Sequence, residues 1–281
     1  MPTSDPRDNN MICRPKPQGF ASRPPGQGYL AWHLQVTRAD DDRHIGLWAL
    51  TPGFGPGYFR FWSVRREQLL KVTPWQIRKR LLEVCHRAAQ KGYVVAYEGN
   101  FSARLPDGNL LVTPSRKNKG DLVTEDLVTT DQNGKPRPGQ GVPSSEMRIH
   151  TLLYSELPEC MAVAHAHPPY ATAFAVAGLE MCVDCMPETF VELGSVPLVP
   201  YGTPGTHELP DRLRERLDGA TGFLLEHHGV VTIGKSVDEA YYRLETVEQA
   251  AHILYLARGL GGERRLDPEQ KQKLQGHQGG S

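Results

Sequence analysis

Two histidines separated by one residue, His165-Ala166-His167, close an apolar run. In an extended strand, positions i and i+2 project from one face, so both imidazoles can meet a single metal ion. Histidines at a strand end are also ordinary surface residues, and the pair alone does not decide between the two. His227-His228-Gly229 lies between two further apolar runs, where glycine permits a bend that swings an imidazole sideways, or simply a polar turn. Pro143-Ser144-Ser145-Glu146 reads as a helix start. One serine caps, Glu146 occupies the first turn, and free N–H groups with two hydroxyls form an anion site. The plainer reading is a cap followed by an acid that the helix dipole favours. His150, four residues after Glu146, allows an alternative Glu146/His150 metal pair on one helix face. Gly99-Asn100-Phe101-Ser102 and Thr113-Pro114-Ser115-Arg116 are small, polar segments at strand ends, and the basic run from Arg116 to Lys119 reads as a solvated turn beside them. Cys182-Val183-Asp184-Cys185 has CxxC spacing but no second pair, which suits two buried free thiols better than zinc.

These residues need a scaffold, and the sequence punctuates one. Thr73-Pro74-Trp75-Gln76 has capping-box form. Trp75, Ile77, Leu81, Val84, Cys85 and Ala88 then recur at helical spacing until Gly92. Residues 94–97, 101–105 and 110–113 read as strands, the last two joined by the turn Pro106-Asp107-Gly108-Asn109. Helix is expected over 145–154, strand over 161–167, helix over 169–177, strands around Val191 and over 196–201, and helix over 209–217. Strands 223–227 and 230–233 flank the turn at Gly229, and Ser236 with Glu239 opens a long helix to about Leu260. Helices alternating with strands predict one α/β domain over 73–262, with a polar, fraying tail over 263–281. Residues 1–62 are set apart by interleaved prolines and glycines. They suit either a disordered leader or a hairpin between 29–36 and 45–50.

Charge balances, 32 Lys+Arg against 32 Asp+Glu, which gives no electrostatic basis for nucleic-acid or anionic-membrane partners. No apolar run reaches the length of a membrane span, and Asp5, Arg7 and Asp8 stand where a secretory signal has its apolar core. Five scattered cysteines make no disulfide scaffold, and a cytoplasmic protein is expected.

Taken in order, Gly99-Asn100-x-Ser102, Thr113-Pro114-Ser115, Pro143-Ser144-Ser145-Glu146, His165-x-His167-Pro168 and His228-Gly229 resemble the class II aldolase/adducin family over about residues 74–260, in particular its L-fuculose-1-phosphate aldolase members. The resemblance implies a three-layer α/β/α sandwich on a mainly antiparallel central sheet. It also implies a homotetramer with active sites between subunits and one zinc ion per subunit. By position, His165, His167 and His228 would hold the zinc. Glu146 would be the acid/base and would also approach the metal, and Asn100, Ser115, Ser144 and Ser145 would bind substrate phosphate. The implied reaction is retro-aldol cleavage of a phosphorylated ketose to dihydroxyacetone phosphate and an aldehyde. Sugar-phosphate epimerisation, methylthioribulose-1-phosphate dehydration and a non-catalytic adducin-like interaction module are the alternatives. Relatives that epimerise carry Asp at the Glu146 position and adducin-type heads lack the full histidine set, which favours the aldolase. Two departures stand out. A proton-donating tyrosine of the family falls on Met186, and a family glycine is replaced by Arg116, whose guanidinium would strengthen phosphate binding or select a carboxylate.

Overall fold

A computed structural model of the chain describes residues 35–38, 44–50, 59–65 and 72–277. It divides at Val72/Thr73 into two compact units. In the first, strands β1 (Gln35–Arg38), β2 (His44–Leu50) and β3 (Phe59–Arg65) form an antiparallel sheet in that order. Gln35 pairs with Trp48 and Leu47 with Trp62. The hairpin expected here thus has a third strand, while the expected disordered leader before Gln35 lies outside the described residues.

The second unit is built on seven strands: β4 (Asn100–Arg104), β5 (Leu110–Val112), β6 (Val128–Thr130), β7 (Ala162–Ala166), β8 (Leu198–Val199), β9 (Gly222–Leu225) and β10 (Gly229–Gly234). Their order is β6-β5-β4-β7-β10-β9-β8, antiparallel throughout except for the parallel β8–β9 pair. The helices are α1 (Pro74–Gln90), α2 (Met147–Glu156), α3 (Pro169–Val176), α4 (Pro187–Leu193), α5 (Glu208–Arg214), α6 (Val237–Gly259) and α7 (Pro268–His277).

Strand periodicity sorts the core into two layers. Phe101, Ala103, Ala162, Ala164, Leu224 and Val230 face one way and pack with Leu81, Val84 and Ala88 of α1 and with Tyr241, Leu244 and Val247 of α6. Leu110, Val112, Val163, Phe223, Leu225 and Val231 face the other way, onto Ile149 and Leu153 of α2 and Leu209 and Leu213 of α5. The result is the expected α/β/α sandwich on a mostly antiparallel sheet. The two long helices start at the caps the sequence marks. Thr73 and Gln76 close a full capping box, and Ser236 accepts from the Glu239 amide.

Several local expectations give way. Residues 94–97 run as turns, because Ala96 adopts φ 50° and Val95 and Tyr97 are 61% and 66% exposed, so neither a pleat nor a buried face forms. Val191 lies in α4, which Pro187 opens as a helix at its first position, and not in a strand. The expected strand over 196–201 shrinks to the two residues of β8, and the helix over 209–217 becomes Glu208–Arg214. Cys182 and Cys185 are not free thiols. One 3-10 turn, Val183–Cys185, brings their Cα atoms to 6.0 Å, and they form a disulfide. Cys85 and Cys160 are the free, buried cysteines among the described residues, each thiol pushed up to about 12 by burial. The tail does not simply fray. The Leu266 amide donates to the Asp184 carbonyl, Lys271 pairs with the Asp184 carboxylate, and residues 268–277 continue as α7.

Candidate active site

The register of three strands assembles the histidines. Asn100 of β4 stands opposite His165 of β7, and His165 stands opposite Val231 of β10. The tight turn before β10 puts His228 against the end of β7, with His227 at φ 57° and Gly229 pressed onto the strand. A Cβ on Gly229 would lie 2.5 Å from Cδ2 of His167 and 2.6 Å from the Ala166 carbonyl oxygen, so only glycine fits. Across the sheet, Gly99 holds φ 66°, and a Cβ there would meet Val94 Cγ1 at 2.4 Å and the His165 carbonyl at 2.8 Å.

The three rings form a near-equilateral triangle, with centroids 5.1 Å (His165–His167), 4.7 Å (His165–His228) and 5.0 Å (His167–His228) apart. Each offers a ligand nitrogen, all within 4.8 Å of one another. Nδ1 of His165 donates to the Val230 carbonyl at 2.9 Å, which fixes the ring and turns Nε2 toward the site. Nδ1 of His167 sits 3.2 Å from Oε2 of Glu98. Glu146 closes the triangle, its Oε2 lying 3.1 Å from Nε2 of His165 and its Oε1 3.1 Å from Nε2 of His228.

Buried ring nitrogens on all three histidines, Nε2 of His165, Nε2 of His167 and Nδ1 of His228, lack an aligned hydrogen-bond partner. Buried polar atoms are rarely left so. A trio of imidazoles with a carboxylate is the donor set of an open zinc-type site, and the residues fit a divalent ion. The electrostatics agree. Burial pushes the Glu146 carboxyl up, but His165 and then His228 outweigh it and hold Glu146 ionised, well below the usual carboxylate range. Burial lowers His165, and Glu146 more than reverses this, for a net rise. Burial, followed by the charges of His165 and His228, pushes His167 down to about 4, leaving a neutral ring suited to ligation.

Beside the histidines, a bridge between Pro114 and Pro143 joins the two serine segments, with the Ser115 amide donating to Val142 O at 2.9 Å and the Ser144 amide to Thr113 O at 3.2 Å. The backbones of Ser115 and Ser144 are thereby brought together, while Ser144 and Ser145 line a groove with Arg148, Thr151 and His207. Helix α2 begins two residues later than expected, at Met147. Glu146 is its N-cap, with no side-chain cap, and the Glu146 amide donates to Ser144 Oγ at 3.3 Å. The Glu146 carboxylate is thus spent on the histidines and not on the helix dipole. Asn100 is also committed inward, donating from Nδ2 to Glu146 Oε2 at 2.6 Å and accepting at Oδ1 from His150. Arg116 is exposed at φ 55°, the left-handed region that favours glycine, with no hydrogen bond or ion pair among the described residues.

The class II aldolase and adducin N-terminal domain model matches residues 79–255, from within α1 to within α6. The chain belongs to that family. Class II aldolase relatives include a 3-oxo-tetronate 4-phosphate decarboxylase of Escherichia coli strain K12, 34% identical over 184 residues, covering 64% of this chain and 86% of its own. An L-fuculose phosphate aldolase of Methanococcus maripaludis is 32% identical over 180 residues, covering 64% and 96%. The crystal structure of YgbL from Escherichia coli, a candidate aldolase/epimerase/decarboxylase, superposes with a TM-score of 0.66 at 32% identity over 70% of this chain and 96% of that one.

The roles of four residues escaped the sequence reading of this class II aldolase domain. Glu98 meets His167 only because the 94–97 segment turns back. The basic run is not all solvated: Lys119 is 2% exposed and donates to the carbonyls of Tyr97 (3.0 Å) and Lys117 (2.9 Å), tying the loop before Asn100 to the loop after Ser115. Burial pushes its ammonium below the usual lysine range. Ser102 and Tyr154 complete a buried chain through His150, and no spacing rule within one segment would find a network made of a strand and a helix.

Proposed function

We propose that this chain is a metal-dependent lyase that cleaves a carbon–carbon bond of a phosphorylated ketose, giving dihydroxyacetone phosphate and an aldehyde by a retro-aldol step. The observation that carries this reading is the triangle of His165, His167 and His228 closed by an ionised Glu146. An ion held there, zinc by the donor set, supplies Lewis-acid polarisation of carbonyl and hydroxyl oxygens. Glu146 takes a proton from the substrate and returns one to the enediolate carbon that bond cleavage leaves. Ser115, Ser144 and Ser145 fix the phosphate, so remote binding energy orients the reacting carbons. The working enzyme is a cytoplasmic homotetramer with its sites between subunits. Among the described residues no helix is long and apolar enough to cross a membrane.

A second reading is decarboxylation of a phosphorylated 3-oxo acid, favoured by a relative of that name and by the exposed guanidinium of Arg116, which has no partner among the described residues. Both reactions leave the same kind of carbanion beside a carbonyl, so one site serves either. Purified protein should be supplied with L-fuculose 1-phosphate and with 3-oxo-tetronate 4-phosphate, following triose phosphate and carbon dioxide, before and after chelation. Triose phosphate with an equivalent of aldehyde and no carbon dioxide supports the aldolase, and triose phosphate with an equivalent of carbon dioxide supports the decarboxylase. A metal-loaded protein inert to both would overturn the lyase reading in favour of an interaction module.

A further inference from the structure

Helix α2 and strand β4 interlock with matched periods. Glu146, His150 and Tyr154 recur every four residues along one face of the helix, and Asn100 and Ser102 recur every two along the facing side of the strand. Their side chains alternate into one buried chain. Asn100 Nδ2 meets Glu146 Oε2 at 2.6 Å, Asn100 Oδ1 meets His150 Nε2, His150 Nδ1 meets Ser102 Oγ at 2.6 Å, and Ser102 Oγ meets the Tyr154 hydroxyl at 2.8 Å. We infer that His150 is a positioning residue, held by Ser102 and Tyr154 in the tautomer that locks the Asn100 amide with its N–H groups facing Glu146.

The sense of every bond follows from one end. Asn100 Nδ2 lies 2.6 Å from Glu146 Oε2, so the amide presents its NH₂ group and the carboxylate accepts. Its carbonyl oxygen then needs a donor, which places the His150 hydrogen on Nε2. The ring is neutral, because burial pushes it down to about 3, so Nδ1 carries a lone pair and accepts from the Ser102 hydroxyl. The Ser102 oxygen accepts in turn from Tyr154. Running the chain backwards would require a carboxylate that donates. His150 is therefore neither a spare base nor a ligand in a Glu146/His150 metal pair: it is 1% exposed and both nitrogens are occupied. Without its donor, the Asn100 amide is free to flip, setting Oδ1 against Oε2 of Glu146 and turning the carboxylate off the histidines. The kinetic consequence rests on the proposed role of Glu146, but the tautomer and the amide orientation do not.

The test has two arms. In metal-free protein labelled with 15N-histidine, NMR should show His150 as a neutral ring with a slowly exchanging Nε2 proton, and Ser102→Ala should perturb that signal. A protonated Nδ1 or a charged ring would overturn the inference whatever the protein catalyses. In the second arm, His150→Leu should lower kcat by about 10–100-fold with KM nearly unchanged, and His150→Gln, which keeps a donor near Nε2, should restore most of it. Equal losses in both variants, or none in His150→Leu, would overturn the positioning role. If neither lyase reaction is found, the structure of His150→Leu decides: an unmoved Asn100 amide and Glu146 carboxylate refute the inference independently of function.

Discussion

Nε2 of His165 lies 3.1 Å from Oε2 of Glu146, while Nδ1 of the same ring donates to the Val230 carbonyl at 2.9 Å. Two lone pairs at that separation need a positive charge between them. In the metal-free protein burial works against a proton on His165, but the Glu146 carboxylate outweighs it and raises the affinity of the ring for one. A bound cation displaces that proton.

The first prediction is therefore that metal uptake releases protons. Titration calorimetry with zinc in buffers of different ionisation enthalpy should show about one ion bound per chain with net proton release, and affinity should weaken as pH falls. His165→Ala should abolish both signals. Uptake with no buffer dependence would contradict the shared-proton geometry.

Gly229→Ala probes the site without touching a ligand. The added methyl would stand 2.5 Å from His167 Cδ2 and 2.6 Å from the Ala166 carbonyl, so both the ring and the end of β7 must give way. Metal affinity should fall about 10–100-fold, the usual effect of disturbing a ligand's support, while the circular dichroism spectrum stays that of the parent.

Much of this was legible in advance, for local reasons. The caps at Thr73 and Ser236, the apolar runs that make β7, β9 and β10, and the small turn at Gly229 are all written in neighbouring residues. The misreadings share one cause. Val95 and Tyr97 have strand-forming side chains, yet Ala96 at φ 50° breaks the extension. Lys119 looks solvated until the carbonyls of Tyr97 and Lys117 give its ammonium a buried berth, and Asp184 anchors a tail more than eighty residues away in sequence. Asn100 and Ser145 carry the same kind of polar side chain, but tertiary pairing with His150 and Glu146 turns Asn100 inward.

Acid stability offers a third check. His150 is held at about 3 when folded, against an ordinary histidine value when unfolded. Between those limits the unfolded chain binds the extra proton, so its contribution to stability falls as pH drops through this window and flattens below about 3. In metal-free protein, His150→Gln should reduce the slope of unfolding free energy against pH by up to one proton in that window. An unchanged slope would mean that the ring titrates normally.

Glu146→Gln separates chemistry from scaffold. A carboxylate whose only role were to favour a helix start would contribute about 0.3–1 kcal/mol, and its amide would change no turnover. As the proton carrier it should be needed for about 10²–10⁴-fold in kcat, with fold and bound metal retained. Wild-type turnover in this variant would remove Glu146 from the reaction.

Arg116 sets stability against recognition, which makes its prediction double-edged. At φ 55° a residue with a Cβ carries a cost of about 1–2 kcal/mol that glycine does not. Its side chain is exposed and has no partner among the described residues, so nothing within the fold offsets that cost. Arg116→Gly should therefore raise the melting temperature, although glycine's greater freedom in the unfolded chain takes back part of the gain. If the guanidinium meets substrate, the same variant should raise KM with little change in kcat, since a contact made equally in ground and transition states affects binding alone. The size of the effect on each substrate then discriminates between the two reactions. A phosphate contact weakens a ketose phosphate and a phosphorylated 3-oxo acid alike, whereas a carboxylate contact penalises only the acid. A variant that is more stable and keeps its KM for both would show that Arg116 has no part in substrate binding.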